Sequence, residues 1–157
     1  MSIKLVNFSK KFITKKYLSW MNDKYLTKYS RHRFKKITKN DALNYLKEMR
    51  NNLFYAIVKN SNHIGNIAAY IDHPNKIADI SIILADQGKG YGLISWKEIS
   101  KKLKANKIRK ITASTMIINK PMIKLFKKNG MKFEYKKKKH FLYKKKYIDL
   151  VGYSKFL

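Results

Sequence analysis

The 157-residue sequence predicts an α/β (α+β) domain, with a mixed, mostly antiparallel sheet of about seven strands flanked by about four helices. In the first half of the chain, short runs rich in β-branched residues alternate with turn residues, as in antiparallel hairpins. In the second half, such runs alternate with segments whose apolar residues lie three and four positions apart, as in helices. The length suits one domain with a buried core, which we expect to span residues 1–157.

The first half begins with a predicted strand at positions 3–8 and predicted helices at 15–22 and 41–51. Thr38 or Asn40 can cap the second of these helices, because both side chains accept hydrogen bonds from a first helical turn. The apolar stripe of this helix consists of Ala42, Leu43, Leu46 and Met49. Its periodicity predicts that one face packs against the sheet.

Three further strands are predicted at 54–59, 64–72 and 77–85, where β-branched and aromatic residues are concentrated. The segments between them are the turn sequences Asn60-Ser61-Asn62 and His73-Pro74-Asn75. Short connections of this kind indicate neighbouring antiparallel strands.

The second half contains predicted helices at 93–103 and 122–128, on either side of a strand at 110–118. Asn119 can cap the second of these helices, and Asn129-Gly130 is typical of a helix end. The last two strands are predicted at 132–140 and 146–154.

A glycine-rich turn with the sequence Gln-Gly-Lys-Gly-Tyr-Gly, residues 87–92, joins a predicted strand to a predicted helix. The first N–H groups of a helix have no partner within it, and they lie at the positive end of its dipole. Glycines let a bulky anion approach this backbone closely. The turn therefore predicts a phosphate site, although its spacing fits neither G-x-G-x-x-G nor G-x-x-x-x-G-K-[ST].

The Q-x-x-G-x-G spacing of this turn resembles the pyrophosphate-binding motif of the GNAT family of N-acetyltransferases. Residues 119–134, N-x-P-x-I-K-L-F-K-K-N-G-M-K-F-E, resemble the second cofactor motif of that family, in the family's order and separation. A W-x-N-D sequence at 20–23 resembles the branch that contains ribosomal-protein, spermidine and nucleotide-amino-sugar acetyltransferases. The resemblance implies a GNAT-like fold, an acyltransferase, and acetyl-CoA (coenzyme A) as the cofactor.

The resemblance also implies which residues hold that cofactor. Backbone groups at 82–84 would bind the pantetheine amides and the thioester oxygen, and the turn would bind the pyrophosphate. For Asn119, we expect a role in capping its helix and touching the cofactor rather than in proton transfer. For Lys89, the alternative is an ordinary solvent-exposed lysine with no cofactor contact. The cofactor-binding residues expected from the resemblance are Ile82, Ile83, Leu84, Gln87, Gly88, Lys89, Gly90, Tyr91, Gly92, Asn119 and Phe126.

Acetyl transfer to an amine needs a base, because an alkylammonium with a pKa of about 10 is almost fully protonated at neutral pH. Asp79 lies where many members of the family carry a catalytic glutamate, so the resemblance makes it the candidate base. The alternative is that Asp79 is an outward-facing strand residue or the ion-pair partner of a lysine. Phe126 replaces the tyrosine that protonates the thiolate in many relatives, so this role is vacant or is filled by water or another tyrosine. Tyr143, Tyr147 and Tyr153 are candidates, and we select Tyr143.

The expected substrate-binding residues are Trp20, Asn22, Asp23 and Arg33. The alternative for Trp20 is that its side chain packs in the hydrophobic core. The formal net charge of +28 would repel a polycation such as spermidine. We therefore expect the acceptor to be a small-molecule amine on an anionic scaffold, such as a nucleotide-linked amino sugar. The alternatives are a ribosomal or N-terminal protein amine, or a non-catalytic basic nucleic-acid-binding module on the same fold.

The charge comes from 33 Lys and only 4 Arg, and Lys, Asn and Ile all have A/T-rich codons. Because nucleic-acid binders favour arginine, we do not expect nucleic acid to be a partner. Lysine runs at 136–139 and 144–146 favour an exposed edge strand and a turn. The absence of cysteine excludes disulfides, and the histidines lack metal-ligand spacing, so no metal is expected. Without a membrane-length apolar stretch or a signal-like N-terminus, we expect a cytoplasmic protein with no membrane association.

Overall fold

The computed structural model describes residues 2–157, which form seven strands and four α-helices with three short 3-10 turns between them. The strands are β1 (Ile3–Asn7), β2 (Leu53–Lys59), β3 (Asn62–Asp72), β4 (Ile77–Leu84), β5 (Lys110–Met116), β6 (Lys132–Tyr143) and β7 (Lys146–Phe156). The helices are α1 (Lys15–Met21), α2 (Lys39–Glu48), α3 (Tyr91–Ala105) and α4 (Lys120–Lys128).

The strands form one sheet in the order β1-β2-β3-β4-β5-β7-β6. All neighbouring strands are antiparallel except β4 and β5, which are parallel and are joined by α3. The mixed, mostly antiparallel sheet with four helices confirms the predicted fold class. The lysine-rich strand β6 lies at an edge of the sheet, as its lysine run predicts.

Two hydrophobic cores lie on opposite faces of the sheet. On one face, Tyr17 and Trp20 of α1 and Ala42 of α2 pack against β2 and β3. On the other face, Trp96 of α3 and Phe126 of α4 pack against the strands. The apolar stripes of the helices thus cover both faces, as their periodicity predicts.

Two strand boundaries differ from the sequence prediction because of tight hairpin turns. Strand β3 begins already at Asn62, since Asn60 and Ser61 alone form the turn, with φ of 45° and 66°. Strand β6 runs to Tyr143, and Lys144 and Lys145 form a second turn with φ of 47° and 62°. Two positive φ angles are typical of hairpin turns, but lysine is not a residue that signals them.

Helix α2 is capped by Thr38, which decides between the two candidate caps. The Thr38 hydroxyl accepts a hydrogen bond from Asp41 N at 3.1 Å, and the Asp41 carboxylate accepts one from Thr38 N at 2.9 Å. Hydrogen bonds from the Thr38 backbone, and then from Lys35, hold the pKa of Asp41 at about 2. This cap contributes stability near neutral pH that is lost as pH falls toward that value.

We expect Thr38→Ala to lower the free energy of unfolding by about 1 kcal/mol, because the first-turn N–H of Asp41 loses its acceptor. Urea denaturation at neutral pH measures this difference. Asn40→Ala is the matched control and should leave stability nearly unchanged. Equal effects of the two substitutions would contradict the assignment of the cap to Thr38.

Candidate active site

Strands β4 and β5 diverge and open a cleft in the middle of the sheet. Their parallel pairing covers three residue pairs and ends with Asp79 opposite Thr112, although β4 continues to Leu84 and β5 to Met116. Strand β4 stays paired with β3 along its other edge. Beyond Asp79, the backbone N–H and C=O groups on the β5 side of β4 therefore face the cleft. A ligand that carries amides can form hydrogen bonds with them, in the way that an added β-strand would. Residues 82–84 lie on this edge.

The glycine-rich turn lies at the mouth of this cleft, between β4 and α3. Gly90 is the N-cap of α3, and both Gly88 and Gly90 have φ of +80°. A Cβ atom at either position would meet no other atom within 4 Å, so the space around the turn is open. Because the N-terminus of α3 and its first N–H groups border that space, the turn fits a pyrophosphate group.

The side chains of the turn have other partners. Lys89 forms an ion pair with Asp86 at 2.9 Å, and this contact raises the pKa of the lysine. Tyr91 is buried, and its hydroxyl accepts a hydrogen bond from Lys59 Nζ at 2.6 Å. Gln87 remains exposed at the rim. The backbone of the turn, rather than its side chains, is thus the part suited to an anion.

The second motif contributes a helix cap and a core residue. The Asn119 side chain accepts from Met122 N at 3.4 Å and donates to Thr115 Oγ1 at 2.8 Å, so it caps α4 and ties it to β5. Phe126 is 1% exposed and packs between the rings of Trp96 and Tyr153. Its side chain is thus part of the hydrophobic core, and the expected contact of Phe126 with the cofactor stays a prediction.

Asp79 lies at the base of the cleft, and its carboxylate accepts a hydrogen bond from Thr112 Oγ1 at 2.7 Å. The side chain is accessible to solvent, yet the surrounding protein partly desolvates the carboxylate. This burial raises the pKa of Asp79 above its usual range, against the opposing effects of Thr112 and the charge of Arg31. None of the four ion pairs among residues 2–157 involves Asp79, so a lysine partner does not account for it.

Three other aspartates accept hydrogen bonds that hold turns or the β6–β7 hairpin. Asp23 accepts from Tyr25 N and Leu26 N, both at 2.8 Å. Asp72 accepts from the backbone and side chain of Asn75. Asp149 accepts from Lys139 N at 2.7 Å, where β6 changes register. Asp79 differs from these three in that it accepts its hydrogen bond from a side-chain hydroxyl of the neighbouring strand.

A row of polar side chains flanks Asp79 across neighbouring strands. Four residues lie directly opposite one another on adjacent strands, in the order Tyr70 (β3), Asp79 (β4), Thr112 (β5) and Ser154 (β7). Such partners have Cβ atoms about 5 Å apart and point to the same face. The Tyr70 hydroxyl is hydrogen-bonded to that of Tyr45 on α2. Sequence reasoning missed this row, because it depends on the register between strands.

Tyr143 lies far along the β6–β7 hairpin from this row. Its partner in β7 is Lys146, eight residues before Ser154, which corresponds to roughly 26 Å of strand. The Tyr143 ring instead contacts that of Tyr29, with centroids 5.5 Å apart. Tyr143 is thus not a register neighbour of Asp79, and its role as proton donor stays a prediction.

The W-x-N-D segment faces the phosphate turn across a cavity of about 440 Å³. Trp20 is 8% exposed, so it serves as a core anchor as well as part of the cavity wall. The cavity is lined by Trp20, Asp23, Tyr25, Leu26, Ala85 and Gln87. The expected substrate segment and the expected cofactor turn thus border one space.

Two expected substrate residues instead have structural roles. The Asn22 side chain donates to Leu18 O and Ile37 O, and accepts from Ile37 N at 2.7 Å. Arg33 donates to Ser30 O at 2.7 Å and to Leu142 O on the β6–β7 hairpin. These contacts engage both side chains with the backbone, and a role of Asn22 and Arg33 in substrate binding stays a prediction.

Arg31 follows the W-x-N-D segment, and no local sequence pattern marked it as a site residue. Its guanidinium lies 5.6 Å from the centroid of the Phe141 ring. Its charge lowers the pKa of Asp79, which indicates that the two groups are near each other.

Among residues 2–157, no group of three or more His, Asp and Glu side chains is placed to hold a metal ion. Within the same range, no helix has the length and apolar character to cross a membrane.

Several solved structures with this architecture are acetyltransferases. A ribosomal-protein-alanine N-acetyltransferase from Brucella melitensis has a TM-score of 0.86 and 14% identity over 100% of both chains. The ribosomal L7/L12 α-N-protein acetyltransferase RimL, solved with coenzyme A, has a TM-score of 0.88 and 14% identity over 100% of this chain and 95% of its own. The microcin C7 self-immunity acetyltransferase MccE, solved with acetyl-CoA and AMP, has a TM-score of 0.83 and 18% identity over 99% and 92%.

At these identities the likeness establishes the fold. A search of curated protein sequences finds no match. The sequence model of the acetyltransferase (GNAT) domain, however, matches residues 9–132, which span most of the chain. The resemblance drawn from the two cofactor motifs is thereby confirmed, together with the acyltransferase class and acetyl-CoA as the cofactor of the family. This chain belongs to the GNAT family of acetyl-CoA-dependent N-acetyltransferases.

Proposed function

We propose that this protein transfers an acetyl group from acetyl-CoA to the primary amine of an anionic small molecule, such as a nucleotide-linked amino sugar. The observation that carries the proposal is Asp79, a carboxylate with a raised pKa at the point where β4 and β5 separate. We further propose that residues 1–157 act as a single acetyltransferase domain, in the cytoplasm.

The cofactor fits the cleft that β4 and β5 leave open. The β4 edge at 82–84 would pair with its amides, and the backbone of the turn at 87–92 would hold its pyrophosphate. Bound acetyl-CoA supplies a thioester whose carbonyl carbon is open to attack by an amine. Asn119 and the buried Phe126 contribute by fixing α4 beside the cleft rather than by proton transfer.

Asp79 removes the proton that the acceptor ammonium must lose before it can attack. A bridging water would extend the reach of this short side chain, and the bond from Thr112 Oγ1 orients its carboxylate. Because the pKa of Asp79 is raised toward the working pH, its ionised form is a stronger base than an ordinary aspartate. The separation of Tyr143 from this row supports water as the proton donor to the departing thiolate.

The charge distribution around Asp79 supports an acceptor that carries negative charge as well as an amine. Most of the nine acidic side chains are engaged in ion pairs or turns, so no acidic cluster is available for a polyamine. Arg31 is placed to bind a phosphate or carboxylate near the amine.

A panel of amines tests this proposal directly. Because the protein has no cysteine, a thiol reagent reports only the coenzyme A that the reaction releases. We expect the highest kcat/KM with amino-sugar nucleotides, lower values with the neutral amino sugars, and little activity with spermidine. Highest activity with an N-terminal peptide of a ribosomal protein would replace this proposal by protein acetylation. If no amine causes the release of coenzyme A, both hypotheses, small-molecule acetylation and protein acetylation, are overturned.

We expect Arg31→Gln to raise KM for an anionic acceptor by about tenfold or more, with a smaller effect on kcat, since a charge-assisted contact is lost. Loss of the Arg31 charge should also raise the pKa of Asp79 further and move the acid limb of the pH–rate profile upward. Steady-state kinetics over a range of pH values measure both effects. Arg50→Gln, an exposed change of the same charge, is the control. Equal KM values for the two variants would remove Arg31 from the acceptor site.

A further inference from the structure

Lysine is concentrated in the β6–β7 hairpin segment, residues 132–147. Eight of the 33 lysines fall within these sixteen positions, so half of the segment is lysine, compared with about a fifth of the whole chain. Codon bias acts along the entire gene and does not account for such a local concentration. The one acidic residue of the segment, Glu134, is paired with Lys110. Asp149 follows in β7, where its carboxylate accepts a hydrogen bond from Lys139 N. Two carboxylates against eight lysines leave a dense positive charge on the segment.

This charge lies on the exposed edge of the sheet. Residues 132–140 are exposed without interruption, and β6 is the outermost strand. The register changes between Lys137 and Phe141, and Lys139 has φ of 48°. Such a bulge disrupts the straight backbone edge that another β-strand would need. The surface thus offers side chains, rather than backbone, to a partner.

Exposed aromatic rings accompany the lysines on one face of the hairpin. Phe133 is 58% exposed and Tyr147 is 65% exposed. Phe133 contacts the ring of Tyr153, with which it is paired, and Tyr147 lies six residues from Tyr153 in the same strand. Because side chains alternate along a strand, the two exposed rings share a face and lie roughly 20 Å apart. Lys136, paired with Val151, points to the same face between them.

We propose that the β6–β7 hairpin binds single-stranded nucleic acid. Lysines that follow a phosphate backbone, with aromatic rings spaced for stacking on bases, are the two components of such surfaces. A double helix would use the lysines but leave the rings without bases to stack on. A lipid surface would favour apolar residues at the hairpin tip, which here is Lys144-Lys145.

The lysines and exposed rings of this surface lie apart from Asp79, although the hairpin also contacts the proposed acceptor site through Phe141, whose ring lies 5.6 Å from the Arg31 guanidinium. Asp79 and its row lie on the face of the sheet that carries α1 and α2, whereas Phe133 and Tyr147 lie on the face that carries α4. The average composition of the chain does not favour nucleic acid as a partner, but lysine is more than twice as frequent in this segment as in the whole chain. Binding here would recruit the enzyme to RNA or DNA without taking part in the reaction.

Fluorescence anisotropy with labelled oligouridylate and oligothymidylate of about twelve nucleotides tests the proposal. We expect the K136Q/K137Q/K138Q/K139Q variant to lose about tenfold or more in affinity, with a reduced dependence on salt. K97Q/K101Q/K104Q/K107Q removes the same charge from α3 and the turn after it, and should lose about twofold. The release of coenzyme A should be unchanged in the hairpin variant. Comparing the two oligonucleotides distinguishes RNA from DNA as the ligand.

Tyr147→Ala changes no charge and supplies a second test. Loss of one stacking ring is expected to weaken binding about fivefold or more. Equal losses for the two lysine variants, or no effect of Tyr147→Ala, would show only general electrostatic attraction and overturn the proposal. Hairpin-dependent binding to phosphatidylserine vesicles without binding to either oligonucleotide would also overturn it.

Discussion

Asp79→Asn is expected to lower kcat near neutral pH by about 10²- to 10⁴-fold, the range for loss of a positioned general base. Asparagine keeps the size of the side chain and can still accept the hydrogen bond from Thr112 Oγ1. The loss should shrink as pH rises toward the pKa of the acceptor amine, because more of the amine is then already deprotonated. The rate of coenzyme A release as a function of pH measures this effect. A pH profile equal to that of the wild type would remove Asp79 as the base.

The stability of the same variant provides an independent check. Burial raises the pKa of folded Asp79, so ionisation of this group weakens the folded state as pH rises through its pKa. Asp79→Asn should therefore leave the free energy of unfolding at neutral pH unchanged or increased. Asp72→Asn is the matched control, and its effect on the free energy of unfolding should be opposite, since hydrogen bonds from Asn75 lower the pKa of Asp72. That control should lose stability while retaining its activity.

Gly90→Asp is expected to weaken the binding of acetyl-CoA by about tenfold or more. The new carboxylate would occupy the open space at the N-terminus of α3 and repel the pyrophosphate group. The backbone at φ +80° also disfavours any residue with a Cβ, at a cost of about 1–2 kcal/mol. Isothermal titration with acetyl-CoA gives the affinity, and thermal unfolding gives the cost to the fold.

Gly130→Asp separates these two effects. Gly130 has φ of +76° at the end of α4, and the nearest atom to an added Cβ would be Lys155 Nζ at 3.5 Å. The control therefore introduces the same residue at a similar backbone conformation, away from the phosphate turn. We expect it to lose stability but to keep its affinity for acetyl-CoA. If Gly90→Asp binds as tightly as Gly130→Asp, the turn does not hold the pyrophosphate.

Local features of the chain were predictable because they depend on residues close together in sequence. Each residue type predicts the structure at its own position: the glycines at 87–92 a tight turn, Asn119 a helix cap, and the lysines of β6 an edge strand. Asp79 was identifiable because a family pattern surrounds it, and the structure adds the raised pKa and the hydrogen bond from Thr112.

Features that depend on distant contacts were not predictable. Asn22 belongs to a motif associated with substrate, but its side chain is occupied by the backbone of Ile37, fifteen residues away. Tyr70 reaches the side of Asp79 only through the register of β3 and β4. Arg31 lies in a loop whose position is set by contact with the β6–β7 hairpin. No local pattern specifies these arrangements.

The central claim is that acetyl-CoA binds where β4 and β5 separate, with its pyrophosphate on the turn before α3. Amide hydrogen exchange with and without acetyl-CoA tests this claim most directly, and it requires no acceptor. We predict slower exchange at 82–84 and 87–92 when acetyl-CoA is present, with little change in β1 and β2. Unchanged exchange at the turn, together with protection elsewhere in the chain, would contradict the claim.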